Sequence, residues 1–445
     1  MEHICHIGID DTDSPRMGCT TYIAALLVEK LEKIGCKFID YPNLIRLNPN
    51  VPWKTRGNGA VALRFKFLNN QFEFEDIKSI VLSVVKENSD LNYPKTDPAI
   101  AFLKGEVPEK LFLFAKKAIQ NVVSIKEAEK IAELCNVEVN LIKGKRGIVG
   151  ALAALGETLQ NDYTYELIAY RTVENRGTKR KVNEESVKKM DELTKPLTFN
   201  NYDYEKKRVL ITPRGKDPIL FGIRGENPFI LLKAFEILEV YEEIERWVIF
   251  RTNQGTDAHL RKVNFINEIS PYQPVVVVGE VASQPKTIPG GHVIFKIKDE
   301  SGEIECAAYE PTGKFRNIIR KLIPGDLIEV AGGVRAPTKK HGKTINIEKI
   351  KILKLAEEYI YLNPLCEKCG KRMKSLGKNQ GFKCEKCGFK TFKKEKVKIK
   401  VERGLKEGLY LPPLRAQRHL TKPEIRYGQE KHGKNFEFIE KWHNP

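Results

Sequence analysis

Three carboxylates close the first apolar stretch of the chain. In GIDDTDSPRMGCTTY, Asp10, Asp11 and Asp13 precede a Gly18-Cys19-Thr20-Thr21 turn. On extended backbone Asp11 and Asp13 share one side and Asp10 faces the other. Crowded carboxylates repel one another, so such a cluster is either a solvated turn or a cation site. At the C-terminal end of a strand it suits Mg²⁺, which keeps water ligands and bridges to phosphates. The next helix begins at Thr20 or Thr21, and its free N–H groups suit a phosphate. Either threonine also fits an ordinary N-cap. A second loop, WKTRGNGA at 53–60, sets Lys54 and Arg56 beside Gly57 and Gly59. Glycine admits a phosphate close to the backbone, and the cations neutralise it. Lys143, Lys145 and Arg146 precede GIVGALAALG and fit either further phosphate contacts or a solvated loop. No Walker motif is present. Together these residues point to nucleotide chemistry, though none is specific alone.

A different chemistry is written at 366–388. CEKCG occurs twice, so Cys366, Cys369, Cys384 and Cys387 form two C-x-x-C pairs. Four thiolates complete a tetrahedron around zinc and leave no open position for water, so the site is expected to be structural. The chain has nine cysteines, an odd number that speaks against a disulfide framework and for a reducing compartment. Lys368, Lys371, Arg372, Lys374, Lys378, Lys383 and Lys386 surround the pairs and suit phosphate contacts.

These groups need a scaffold. HICHIGIDD reads as a buried strand, TYIAALLVEKLEKI as an amphipathic helix and GNGAVALRFKF as a further strand. Helices are expected at FEFEDIKSIVLSVVKEN, IKEAEKIAELC and GIVGALAALG, which makes the first segment an α/β layer. From YTYELIAYR to RTNQGTDAHL the alternation of strand, helix and turn suits a small ferredoxin-like α+β sandwich. Beyond Pro274 strands crowd together, with a hairpin turn at Asp299-Glu300-Ser301-Gly302 and one helix, FRNIIRKLIPGD, before the fourth strand. That pattern is an OB-fold barrel, a common binder of single-stranded nucleic acid.

The 445 residues allow two to four domains, and 41% hydrophobic content supplies a core for each. No membrane span is expected, and MEHICHIGIDD lacks the basic start and apolar block of a secretory signal, so a cytoplasmic protein is expected. Net charge is +18, and from Tyr361 to Pro445 there are 22 Lys and Arg against nine Asp and Glu. That concentration of positive charge suits a polyanion.

GIDDTDSPRMGCTTY, LIRLNPNVPWKTRGNGAV and RTNQGTDAHL, followed by an OB-fold and a four-cysteine ribbon, resemble the archaeal agmatidine synthetase family across essentially the whole chain. The resemblance implies a multidomain α/β and α+β protein. Its expected parts are an ATP-binding, kinase-like catalytic domain at 1–158 and a ferredoxin-like domain at 159–270. An OB-fold at 271–356, a zinc ribbon at 357–400 and a basic C-terminal segment at 401–445 follow. It implies ATP, Mg²⁺ and Zn²⁺ as cofactors, with agmatine and the isoleucine tRNA of CAU anticodon as partners. The wobble cytidine's carbonyl oxygen is phosphorylated, and agmatine's primary amine then displaces phosphate. The family also phosphorylates its own threonine and cleaves ATP to AMP. The motif places that threonine on Thr20, with Thr21 adjacent. Asp10, Asp11 and Asp13 then serve catalysis, with Asp11 and Asp13 on magnesium. Lys54, Arg56, Gly57, Gly59 and Lys145 serve ATP phosphates. Asp257 is a candidate acceptor for agmatine's guanidinium, and His259 beside it is a weaker one.

Two other readings fit parts of the sequence. A non-catalytic single-strand-binding protein would combine the OB-fold and ribbon, but leaves the aspartates and WKTRGNGA without a role. A Mg²⁺-dependent nuclease or phosphohydrolase would use the aspartates without an amine substrate.

Overall fold

The computed structural model of the chain describes residues 2–54, 57–68, 73–339, 341–433 and 436–444, so the expected phosphate contact Arg56 lies outside the described residues. The N-terminal layer contains β1 (Glu2–Asp10), α1 (Thr20–Lys33), β2 (Lys37–Phe38), β3 (Asn43–Arg46), β4 (Gly59–Leu68), α2 (Phe74–Asn88) and β5 (Ala99–Lys104). It continues through α3 (Glu109–Gln120), α4 (Ile125–Leu134), β6 (Glu138–Leu141) and α5 (Ile148–Gly156). β1 lies antiparallel between β4 and β5. Its alternation sorts the side chains. Cys5, Ile7 and Ile9 are buried on one face, where Phe74 of α2 meets Phe67 and Phe102. His6, Gly8 and Asp10 face α5. Gly8 is required there, because a Cβ would lie 2.1 Å from the Ala151 carbonyl oxygen. Arg64, opposite His6 on β4, donates to the carbonyls of Ala154, Leu155 and Glu157 and so closes the C-terminal end of α5.

The second unit contains β7 (Thr164–Arg171), α6 (Glu184–Thr194), β8 (Thr198–Phe199), β9 (Tyr202–Asp203), β10 (Arg208–Val209), β11 (Ile219–Gly225), α7 (Pro228–Ile237) and β12 (Ile244–Thr252). Apart from the β9–β10 hairpin this is a βαββαβ unit with strand order β12-β7-β11-β8, the ferredoxin-like arrangement expected. The unit is fused to the first. Arg251 and Thr252 of β12 pair in parallel with Asn43 and Leu44 of β3, so one eleven-stranded sheet runs through both. Arg251 strengthens the seam by pairing with Asp40 and donating to the carbonyls of Thr158 and Leu159.

The third unit comprises β13 (Arg261–Lys262), β14 (Pro274–Val281), β15 (Lys286–Thr287), β16 (Val293–Asp299), β17 (Gly302–Ala308), α8 (Phe315–Arg320), β18 (Leu327–Arg335) and β19 (Thr344–Lys354). Pairings β14–β18, β18–β19, β19–β17, β17–β16 and β16–β14 close a five-stranded barrel. Its core is a separate cluster around Val277, Phe295, Ile328 and Ile350. α8 lies before the fourth barrel strand, as an OB-fold requires.

The chain then leaves the barrel on a two-stranded stalk, β20 (Tyr359–Leu362) against β24 (Val397–Lys400). Between them β21 (Lys374–Ser375), β22 (Phe382–Lys383) and β23 (Lys390–Thr391) form the ribbon. On its return, β25 (Gly408–Tyr410) joins β19. The last segment then crosses the whole molecule, and β26 (His443–Asn444) pairs with β12. Trp442 is buried there among Phe38, Tyr41 and Phe438. Much of this basic segment's charge is matched internally. Arg426 is fully buried between Asp162 and Glu226, and Arg415 pairs with Asp203 and Glu205. Among the described residues no helix is long and apolar enough to cross a membrane.

Candidate active site

Asp10 ends β1 against α5, and Gly150 makes room for it: a Cβ at Gly150 would lie 1.9 Å from Asp10 Oδ2. The chain then turns through a left-handed residue, Asp11 with φ 57°, and a second such turn at Gly18 with φ 83°. The loop between is tied down. Ser14 Oγ donates to Asp90 at 2.6 Å, Arg16 pairs with Asp90, and Thr96 Oγ1 donates to the Asp13 carbonyl at 3.0 Å. α1 starts at Thr20, and its N-cap is Cys19, which makes no side-chain capping bond. Thr20 is therefore the first helical residue, with its hydroxyl 2.9 Å from that of Thr12.

Burial raises the Asp10 carboxyl well above the usual range, and the neighbouring Asp11 and Asp13 charges add to it. Burial likewise raises Asp11 to about 6, although Arg146 opposes the shift by donating to Asp11 Oδ2 through Nε at 2.9 Å and through its terminal nitrogen at 2.7 Å. Of the three cations before α5, only Arg146 faces the aspartates. Lys145 pairs with Glu129 at 2.7 Å, and Lys143 donates to the Tyr93 carbonyl.

These groups line a cavity of about 750 Å³. Asp10, Asp11, Asp13, Thr20 and Thr21 form one wall, and Lys54, Gly57 and Gly59 another. The ferredoxin-like unit supplies the opposite wall, with Ile168, Leu210, Ile211 and Ile219 around the carboxylates Glu166 and Asp217. Arg46, Arg224 and His419 complete it. Gly57 and Gly59 have a specific use here. A Cβ at either would lie 2.6 or 2.9 Å from a terminal nitrogen of Arg46, so the pair clears space for that guanidinium. A second cavity of about 900 Å³ shares Arg46, Lys54, Arg224 and His419 and opens between the ferredoxin-like unit and the barrel, along Arg208, Arg335, Asn346 and Arg418.

Asp257 and His259 stand elsewhere. Asp257 pairs with Lys349 and accepts from the Lys422 backbone N–H at 2.9 Å, while buried His259 meets Glu348 at 2.9 Å. Both partners on the barrel lie in β19, so RTNQGTDAHL ties the catalytic half to the OB-fold. Sequence reasoning missed Arg46, Glu166, Arg224 and His419. Glu166 carried a signal: a carboxylate inside TYELIAYR, a strand with every residue buried. His419 carried none, since it reaches the cavity from a segment that looks like a basic tail.

In the ribbon, the four Sγ atoms lie within 4.8 Å of one another, the one such group among the described residues. Gly370 and Gly388 have φ of 68° and 74° and donate back to the carbonyls of Cys366 and Cys384. A hydrogen bond from the Cys387 backbone lowers the Cys384 thiol, while Cys387, beside the other three sulfurs, is raised.

Family models described as the TiaS TCKD domain and the TiaS FLD domain match residues 6–144 and 145–259. The TiaS C-terminal zinc ribbon domain matches 363–405, and the OB-fold nucleic acid binding domain 275–353. Over 94% of its length the chain is 50% identical to the isoleucine-tRNA 2-agmatinylcytidine synthetase TiaS of Methanocaldococcus jannaschii, covering 97% of that protein. The chain belongs to the TiaS family. Two solved TiaS structures share its fold over 95% of the chain and 97% of theirs. The complex of TiaS with its isoleucine tRNA and ATP has 43% identity and a TM-score of 0.86. The complex with the same tRNA, AMPCPP and agmatine has 40% identity and a TM-score of 0.83.

Proposed function

We propose that this protein is an ATP-dependent ligase that joins agmatine to the wobble cytidine of the CAU anticodon of isoleucine tRNA, giving agmatidine. The observation that carries this reading is the shared cavity. It sets the Asp10–Thr20 loop of one unit against the apolar, carboxylate-bearing wall of another, in a chain half identical to a named synthetase.

The chemistry follows from the leaving group. Oxide is expelled poorly from a base carbonyl, whereas phosphate leaves well. A phosphoryl group moves from ATP to the carbonyl oxygen of the cytosine. Agmatine's primary amine attacks the carbon that bears it, the C–O bond breaks, phosphate departs and the amine's proton passes to solvent or a base. Asp10, Asp11 and Asp13 fit Mg²⁺, because three carboxylates crowd one cavity wall and burial already disfavours the charged forms of Asp10 and Asp11, so a divalent charge is a gain. When bound, that ion neutralises phosphate charge. Thr20 is the hydroxyl placed to receive a phosphoryl group, beside the N–H groups opening α1. Lys54 and Arg56 hold ATP phosphates, Gly57 and Gly59 leave room for Arg46 beside them, and Arg146 orients Asp11. Ile168, Leu210, Ile211 and Ile219 suit agmatine's four-carbon chain, and Glu166 and Asp217, which hold Arg224 and Arg180, give that wall the negative charge that suits its guanidinium. The ribbon's thiolates hold zinc structurally and present its lysines to the tRNA. The assigned domains are 1–158 for ATP, 159–270 for the ferredoxin-like wall, 271–356 and 357–400 for tRNA capture and 401–445 for closure of the chamber. The cytoplasm is the assigned compartment.

Nucleoside mass spectrometry of tRNA incubated with the enzyme, ATP and agmatine tests the reading. An agmatine adduct on one cytidine, dependent on ATP, is expected. RNA binding with no ATP consumed would instead favour the single-strand binder.

A further inference from the structure

Where the two cavities meet, three positive or proton-donating groups converge, with Glu166 as the nearest carboxylate. Arg46 comes from the end of β3, Arg224 from β11 and His419 from the C-terminal segment, and all three line both cavities. Arg46 makes no ion pair among the described residues, and its Nε is buried with no hydrogen-bond partner. Gly57 and Gly59 keep its guanidinium unobstructed. Arg224 pairs with Glu166 at 3.2 Å and donates to His419 Nδ1 at 2.7 Å, while Gln254 Oε1 lies 3.1 Å from the same nitrogen. A guanidinium can only donate, and its contact is the shorter, so Nδ1 accepts and the ring carries its proton on Nε2. His419 as a whole is more than a third exposed. Its backbone is fixed in this position. The His419 carbonyl accepts from Gly255 N–H and the Leu420 carbonyl from Asp257 N–H, both at 2.8 Å.

The electrostatics agree. Burial lowers Arg46 to about 10. The neighbouring Arg46 charge lowers His419 well below the usual imidazole range. Burial and Arg418 lower Lys54. Each of these groups is disfavoured in its charged form by a neighbouring cation, and an anion at the junction would relieve them all.

We propose that Arg46, Arg224 and His419 form a binding site for one backbone phosphate of the RNA substrate, beside the nucleotide being modified. The ligand chemistry is a phosphate held by guanidinium and imidazole N–H donors. The RNA is favoured over ATP as its source, because the junction opens into the second cavity, along the barrel residues Arg335 and Asn346. The site deepens the RNA-modifying reading and rests on it.

The test uses the full-length enzyme with Arg46→Gln and His419→Leu. Arg46→Gln is expected to weaken tRNA binding about tenfold. It should also lower the slope of log K against log salt by about 0.7–0.9, the value for one phosphate contact, with KM for ATP unchanged. His419→Leu is expected to weaken tRNA binding about threefold, and it decides the matter if Arg46→Gln melts early. An anticodon stem-loop with a neutral methylphosphonate flanking the target cytidine should bind the wild type more weakly and lose little further affinity for Arg46→Gln. A raised KM for ATP with unchanged tRNA affinity would assign the phosphate to the nucleotide and overturn the proposal. Unchanged tRNA affinity and salt slope in both variants would overturn it as well. A wild-type enzyme that forms no agmatine adduct would instead refute the functional reading.

Discussion

Thr12 Oγ1 and Thr20 Oγ1 stand 2.9 Å apart, both residues almost fully buried, across a loop of seven intervening residues. The pair fixes the hydroxyl that opens α1 in the cavity that Asp10, Asp11 and Asp13 also line. Because Cys19 is the N-cap, Thr20 is free of a capping duty, and its chemistry can be separated from helix stability. Thr20→Val keeps the shape and removes the hydroxyl, at a stability cost of about 1 kcal/mol for the lost bond. Agmatine incorporation is expected to fall at least about a hundredfold, with Thr20→Ser retaining substantial turnover. Phosphopeptide mass spectrometry should find phosphate on residue 20 of the wild type and Thr20→Ser alone. Near-normal incorporation by Thr20→Val would move the role to Thr21 or remove it.

Asp11 has a folded-state value of about 6 against an unfolded value near that of a free carboxylate. A raised value means that the folded protein holds the proton more tightly. Its contribution to stability is therefore fully present below about pH 4 and is lost as pH rises to about 6 and beyond. Metal-free protein is expected to melt higher at pH 5 than at pH 7 on this account. Mg²⁺ should raise Tm more at pH 7, and release protons as it binds. Asp11→Asn should leave the metal-free protein at least as stable at pH 7, while abolishing both the Mg²⁺ increment and ATP cleavage. Scanning fluorimetry with and without Mg²⁺, beside an ATP-cleavage assay, reads these outcomes, and an equal Mg²⁺ increment in Asp11→Asn would contradict the assignment.

Gly150→Ala adds one methyl group that would overlap the Asp10 carboxylate. Overpacking of this kind costs about 1–3 kcal/mol. Here it should also displace Asp10, so kcat is expected to drop far more than stability alone explains. Gly342→Ala, which meets nothing within 4 Å, is the control. Equal activities in the two variants would show that Asp10 does not depend on this packing.

Cys384→Ser is expected to release zinc, measured by elemental analysis, and to weaken tRNA binding about tenfold. ATP affinity should hold, because the ribbon hangs on the β20–β24 stalk and none of its residues lines the cavity. Loss of ATP binding in step with zinc would mean that the ribbon supports the catalytic half as well.

The local pieces are legible in the sequence because their signals are local. β1, α1 and the cysteine knuckles follow from alternation, from helical periodicity and from paired spacing. The fused sheet is not, because the β3–β12 pairing joins residues some two hundred positions apart and leaves no periodic trace. Asp257 illustrates the same limit. A carboxylate in a conspicuous motif looks like a ligand site, yet its partner Lys349 lies in another unit. Gly57 and Gly59 suggest room for a phosphate, and the nearest group they clear is Arg46.

The strand β26 closes a circle: residues 443 and 444 pair with β12, in the sheet that residue 2 begins. His419 enters the cavity only on this late crossing. During synthesis the kinase-like unit emerges first, hundreds of residues before its own chamber is finished. A ribosome-bound chain can therefore present the aspartates and Thr20, but the wall bearing His419 arrives only after the barrel and the ribbon have emerged. The junction where the two cavities meet is therefore the last part of the chamber to be completed.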